Sequence, residues 1–240
     1  MSQDGSPASW EAWKAERLAR LRAERGWLSV VGLHWLEPGP NRVEGVPGTF
    51  TLRDGRVELS ADRADGYTIR GTPVERRLLA SDATPASDVL SLGERRWVQV
   101  LERGGRAALR VWDADAEARR AFRGIDTFPF DPAWRVEARW EQGKERALFT
   151  VGGRNLSLGA TADGERLALV FRDATAGVET YGAGRFLSAE APRGGRVLLD
   201  FNRAFNPPCA FTPFATCPLP RPEDVLPVRV TAGERYGGER

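Results

Sequence analysis

Histidine is nearly absent from this 240-residue chain, where His34 is the only one. A Ser-His-Asp triad or a Cys-His pair would have to use it, and a metal site built from several histidines is excluded. His34 stands in the apolar run Gly32-Leu33-His34-Trp35-Leu36, where a lone histidine reads as a hydrogen-bonded packing residue. Cysteine is also scarce. Cys209 and Cys217 are too few for a disulfide framework and are half of a structural zinc set, so buried, inert thiols are expected in preference to a bridge or a metal site, and no cofactor is expected. A nucleophilic cysteine would need Arg172 or Arg185 beside it. No stretch approaches the roughly 18 uncharged apolar residues of a membrane helix. The segment Met1-Ser2-Gln3-Asp4-Gly5 lacks the basic and then apolar regions of a signal peptide, so a cytoplasmic protein with no membrane partner is expected. Charge of one sign is missing as well: 35 basic and 33 acidic residues leave a net +2, scattered too evenly to attract nucleic acid. No glycine pattern follows a strand and opens a helix as a nucleotide loop requires.

What is present suits a globular β protein, with 41% hydrophobic and 28% charged residues. Residues 9–25 read as an amphipathic helix carrying Trp10, Trp13, Leu18 and Leu21 on one stripe, with Gly26 as its stop. Trp27-Leu28-Ser29-Val30-Val31 reads as an extended run. Asp54-Gly55 between Thr49–Arg53 and Arg56–Ser60 predicts a two-residue hairpin, and Gly104-Gly105 marks a second between Arg96–Leu101 and Ala107–Trp112. A short helix capped by Asp113 is expected over Ala114–Phe122. Phe128-Pro129-Phe130-Asp131-Pro132 reads as an extended linker. Beyond it, Arg135–Trp140 alternates at period two, Asp163-Gly164 marks another hairpin, and Leu167–Phe171 reads as a more fully buried strand. The expected organisation is an N-terminal helix over 1–26, a β-sandwich-like module over 27–127, and an antiparallel β module over 128–240.

The stretch from Phe171 to Pro222 departs from simple alternation by interleaving charges and amides with aromatics, glycines and prolines. Arg172, Asp173 and Thr175 follow the end of an apolar strand. Tyr181 and Arg185 bracket Gly182 and Gly184, glycines that allow close backbone approach. Asp200 and Asn202 leave an apolar strand on one face, and Asn206 and Cys209 open a proline-stiffened loop that runs to Pro220. These nine residues are the candidate ligand-binding set, with Arg185 able to clasp a carboxylate or phosphate or to neutralise Asp173 or Asp200. Three uses remain open. The set binds a small anionic or polyhydroxylated molecule, or it serves a hydrolase or lyase with Asp200 or Asp173 as base and Tyr181 as acid. Alternatively it is a satisfied polar network in a protein-interaction scaffold.

The segments Phe171-Arg172-Asp173-Ala174-Thr175, Thr180-Tyr181-Gly182-Ala183-Gly184-Arg185-Phe186 and Asp200-Phe201-Asn202-Arg203-Ala204-Phe205-Asn206-Pro207-Pro208-Cys209 resemble the DUF1684 family. Gly26-Trp27-Leu28, Gly32–Leu36, Val111-Trp112-Asp113 and Cys217-Pro218-Leu219-Pro220 resemble its other landmarks. The resemblance implies a bacterial or archaeal cytoplasmic protein of unknown function and assigns no catalytic residue. Leu36–Asn41 and Ile69–Val74 resemble the forkhead-associated β-sandwich in fold. The phosphothreonine loop of such domains is shortened here to Arg42–Pro47, so the first module reads as scaffold.

Overall fold

The structure is a computed structural model and describes residues 5–237. It is mainly β, with an N-terminal helix and antiparallel sheets. Two compact units are distinguished. One comprises Arg20–Phe122 and Phe211–Ala215, and the other the residues up to Ala19, Arg123–Ala210 and the residues from Thr216 on.

Helix α1 spans Pro7–Arg22. Its first turn suits proline, whose missing N–H would have no helical partner there, and the Ser6 hydroxyl accepts from the Ser9 N–H at 3.2 Å. Trp10, Arg17 and Leu21 are its buried residues, spaced by seven and four as one helical face requires. An arginine therefore sits on the stripe that the sequence assigns to apolar residues. Trp27–Ser29 forms a 3-10 turn rather than an extended run, and the strand begins only at Val30.

The Arg20–Phe122 unit is a two-sheet sandwich. Its strands are β1 (Val30–Trp35), β2 (Gly39–Val43), β3 (Val46–Arg53), β4 (Arg56–Ser60), β5 (Tyr67–Ile69), β6 (Thr72–Pro73), β7 (Arg76–Leu79), β8 (Val89–Leu92), β9 (Arg96–Arg103) and β10 (Arg106–Asp113). One sheet runs β1-β10-β9-β8-β5-β6 and the other β2-β3-β4-β7. Both expected hairpins form, with Arg53 opposite Arg56 and Arg103 opposite Arg106. Phe50, Val57 and Leu59 of one sheet share a core with Leu90, Val98, Leu109 and Val111 of the other. The short helix α2 covers only Glu117–Ala121, and Ala116 provides no side-chain cap. Asp113 bonds the Asp115 N–H at 2.7 Å instead, so its carboxylate closes a turn ahead of the helix.

The second unit is built on β11 (Arg135–Glu141), β12 (Arg146–Val151), β13 (Arg154–Asp163), β14 (Arg166–Phe171), β15 (Arg185–Glu190) and β16 (Arg196–Asp200). The sheet order is β15-β14-β13-β12-β11-β16. β15 also lies beside β16, so the ends of the sheet curl back toward each other as in a barrel. Strand β14 alternates instead of being buried throughout: Leu167, Leu169 and Phe171 face inward while Ala168 and Val170 are partly exposed. Phe201 is the hub of the core, edge-on to Trp134 and Phe171 and tilted against Phe149. Among the described residues, no helix is long and apolar enough to cross a membrane.

Candidate functional site

The polar motif begins where β14 leaves the sheet. Asp173 is buried, and its carboxylate is met by four donors. Oδ1 accepts from Arg185 Nη2 at 3.2 Å, while Oδ2 accepts from the Thr175 N–H (3.1 Å), the Thr175 hydroxyl (2.8 Å) and the Val230 N–H (2.8 Å). The Thr175 hydroxyl spends its only proton on Asp173, so the Thr180 hydroxyl 2.9 Å away donates to it. One carboxylate thereby folds the 173–180 loop on itself and ties it to the C-terminal segment.

Arg185 opens β15 and is 1% exposed. Besides Asp173, it donates to the Val230 carbonyl at 2.9 Å, to the Ala232 carbonyl, and to the Glu234 carbonyl at 3.3 Å. Its guanidinium carbon lies 5.3 Å from the centroid of the Phe171 ring, and its Nε–H meets no acceptor among the described residues. Burial pulls the guanidinium down from its ordinary value, and Asp173 opposes that pull. The adjacent Gly184 has φ +102°, and a Cβ there would stand 2.5 Å from the Phe171 carbonyl oxygen. The sequence places glycine at the point where β15 must start this close to β14.

A second group surrounds Asp200. Asn202 donates to its Oδ1 at 3.1 Å, and Arg135 and Arg203 approach Oδ2 at 3.5 and 3.3 Å. The expected pairing of Asp200 with Asn202 is present, but a 3-10 turn over Phe201–Arg203 brings them together, not strand alternation. Asn202 also exchanges bonds with the Asp131 backbone, and its carbonyl accepts from the Trp10 indole at 2.9 Å.

The third group was not legible in the sequence. Glu234 accepts from Arg17 Nε at 2.9 Å and from the Asn206 N–H at 2.7 Å, while Arg17 Nη2 donates to the Asn206 carbonyl at 2.8 Å. Burial pushes the Glu234 carboxyl above its ordinary range, although Arg17 and Asn206 pull it back. Gly233 beside it has φ +79° and approaches the Ala204 carbonyl so closely that a Cβ would stand 2.5 Å away. Asp224 is a further buried carboxylate outside the nine candidates, accepting from Gly159 N–H, Arg146 and Arg221 at 2.7, 3.0 and 2.9 Å. The only sequence signals for these are Arg17 on an apolar helical stripe and Glu234 after Ala232-Gly233.

The nine candidate residues therefore separate by environment. Asp173, Thr175, Arg185, Asp200, Asn202 and Asn206 are interior. Arg172 is exposed, its backbone paired with Asp224 and Leu226. Tyr181 and Cys209 are half-buried. The Tyr181 hydroxyl donates to the Cys209 carbonyl at 3.1 Å, and its ring meets Tyr236 edge-on at 5.0 Å. Burial first, and then the neighbouring Cys209 and Cys217, push this phenol up to about 12. No group of three or more His, Cys, Asp or Glu side chains among the described residues is placed to hold a metal ion. A surface groove on this unit is lined by Glu137, Arg139, Trp140, Thr150 and Arg196 and by none of the nine.

Comparison with known proteins gives a family without an activity. Nothing among curated proteins matches the chain. A solution NMR structure of an uncharacterized protein from Haloarcula marismortui is 31% identical, with 51% of this chain and 81% of that one covered and a TM-score of 0.43. Residues 143–235 match the family described as protein of unknown function DUF1684, a span that contains all nine candidates. The segment 143–235 belongs to the DUF1684 family.

Proposed function

We propose that the C-terminal polar motif is an internal network that fixes the six-stranded sheet, and that the protein is a scaffold acting through the surface this network holds in place. The observation that carries this reading is the commitment of both terminal nitrogens of Arg185 to Asp173 and three backbone carbonyls. A ligand-binding arginine needs donors aimed at open space, and a catalytic carboxylate must touch substrate. Asp173 and Asp200 are instead enclosed by donors of the protein itself. Val178, on the 173–180 loop that Asp173 folds, is 77% exposed, and Leu219 and Val225 on later loops of the chain are 69% and 47% exposed. Exposed apolar groups on well-held loops suit a protein partner.

Replacing Asp200 by asparagine tests the interior role. The expected result is a fall in melting temperature of about 6–20 °C, corresponding to the roughly 3–5 kcal/mol of a broken buried ion pair. An unchanged melting temperature would sink the network reading. The partner is tested by crosslinking the tagged chain in the cells that naturally make it. A crosslinked species lost in Leu219→Asp or Val178→Asp is expected, and an identical pattern in wild type and variants would overturn that part.

A small anionic ligand is the second reading, favoured by the exposure of Arg172 next to the buried Asp173. Thermal shift against a panel of phosphorylated and carboxylated metabolites addresses it. The reading requires a stabilising hit that Arg172→Ala abolishes without altering the melting temperature of the apo protein.

A further inference from the structure

Cys209 and Cys217 are both thiols, half-buried and reachable from solvent, and they are held against each other. The Cys209 N–H donates to Cys217 Sγ at 3.2 Å. With an N–Cα bond of about 1.46 Å, that sulfur lies within about 4.7 Å of the Cys209 Cα. Cysteines joined by a disulfide usually have Cα atoms about 4.4–6.8 Å apart, and a sulfur this near the partner's backbone is compatible with such a pair.

The chain between them is fixed at several points. Pro207 accepts from the Ala210 N–H at 3.0 Å, closing the turn that contains Cys209. The Thr212 hydroxyl donates to the Val30 carbonyl at 3.3 Å and accepts from the Phe214 N–H at 3.2 Å. Phe211 meets Phe122 edge-on with centroids 6.3 Å apart. Pro213 restricts the backbone inside the loop and Pro208 and Pro218 restrict it on either side of the cysteines, and Tyr181 holds the Cys209 carbonyl. Two thiols at the neck of a short, proline-stiffened loop meet at a reduced cost of ordering the chain.

We infer that Cys209 and Cys217 form a modification site that reacts with a low-molecular-weight disulfide of the glutathione class and closes into an intramolecular disulfide. The Cys209 N–H stabilises negative charge on Cys217 and makes it the attacking thiolate. Its sulfur attacks one sulfur of the small disulfide, the S–S bond breaks, and the first small thiolate leaves. The Cys209 thiolate then attacks Cys217 Sγ in the mixed disulfide, forming the Cys209–Cys217 bond and expelling the second small thiolate. The two protein thiols are oxidised, one small disulfide is reduced to two thiols, and the two protons released by the cysteines end on those thiols. The site would respond to the ratio of small disulfide to small thiol, and closure would lock the neck of the loop. This inference stands apart from the scaffold reading, because it concerns thiol chemistry and not what the surface binds.

The test is equilibration of the reduced full chain with excess oxidised glutathione, acid quench, alkylation with iodoacetamide and intact-mass analysis. Closure predicts a mass lower by about two units, no alkylation of either cysteine, and a melting temperature higher by about 5–10 °C. Cys209→Ser should stop at a glutathione adduct on Cys217. Alkylation of both cysteines in the oxidised wild type, a stable adduct that never closes, or a disulfide joining two chains on a non-reducing gel overturns the proposal.

Discussion

Arg185 Nη2 and Asp173 Oδ1 lie 3.2 Å apart with both side chains only 1% exposed, yet the pair is not isolated, since six further hydrogen bonds tie it to Thr175 and to the 230–234 segment. Removing one member leaves the other charged, buried and short of a partner. Arg185→Met should cost about 3–5 kcal/mol by urea denaturation. In the double variant Arg185→Met/Asp173→Leu the loss should be smaller than the sum of the single losses. Additive losses would show that the two charges do not stabilise each other.

Glu234 sets a pH dependence whose sign follows from its burial. Its carboxyl is raised above the ordinary 4.5 in the folded protein, so the folded state keeps a proton that the unfolded chain releases. That contribution is complete below about pH 4.5 and is lost as pH rises through the folded value. Wild type should therefore lose stability relative to Glu234→Gln as pH climbs from about 4 to 8, measured as the difference between their denaturation midpoints. A flat difference, or one of opposite sign, contradicts this.

Gly184→Ala forces a Cβ to 2.5 Å from the Phe171 carbonyl at φ +102°, and should destabilise by at least about 1–3 kcal/mol. Gly182→Ala is the matched control, because its Cβ would find its nearest neighbour at 3.7 Å. Equal thermal shifts for the two variants would remove the steric argument.

Tyr181, with its phenol pushed up to about 12, should stay protonated where an exposed tyrosine has ionised. In an ultraviolet titration of the folded protein, Tyr181→Phe should remove the phenolate step near that pH and leave the absorbance around pH 10 unchanged. A loss of signal at about pH 10 instead would place the phenol in water.

The local parts of the fold were legible because short-range chemistry determines them. Asp54-Gly55 and Gly104-Gly105 each specify a tight turn whatever lies elsewhere in the chain. Trp27–Ser29 was misread because an apolar run looks alike in a strand and in a turn packed against the interior. The polar motif was legible as a concentration of unusual residues, but a cleft and a satisfied interior draw on the same side chains. Arg185 could be assigned only by knowing which carbonyls reach it, and those belong to Val230, Ala232 and Glu234, whose approach depends on long-range packing. Arg17 was hidden for the same reason, since its acceptor on Glu234 is 217 residues away.

That separation has a consequence for the order of events during synthesis. At roughly 5–20 residues per second, the ribosome delivers Glu234 about 10–40 s after Arg17. Strands β1 to β10 are complete well within that delay, whereas the six-stranded sheet must wait with its polar interior unmatched. A nascent chain stalled before Val230 should therefore resist protease across the sandwich strands and be cut within β11 to β16. Equal resistance in both regions would mean that the final segment is not what closes the fold.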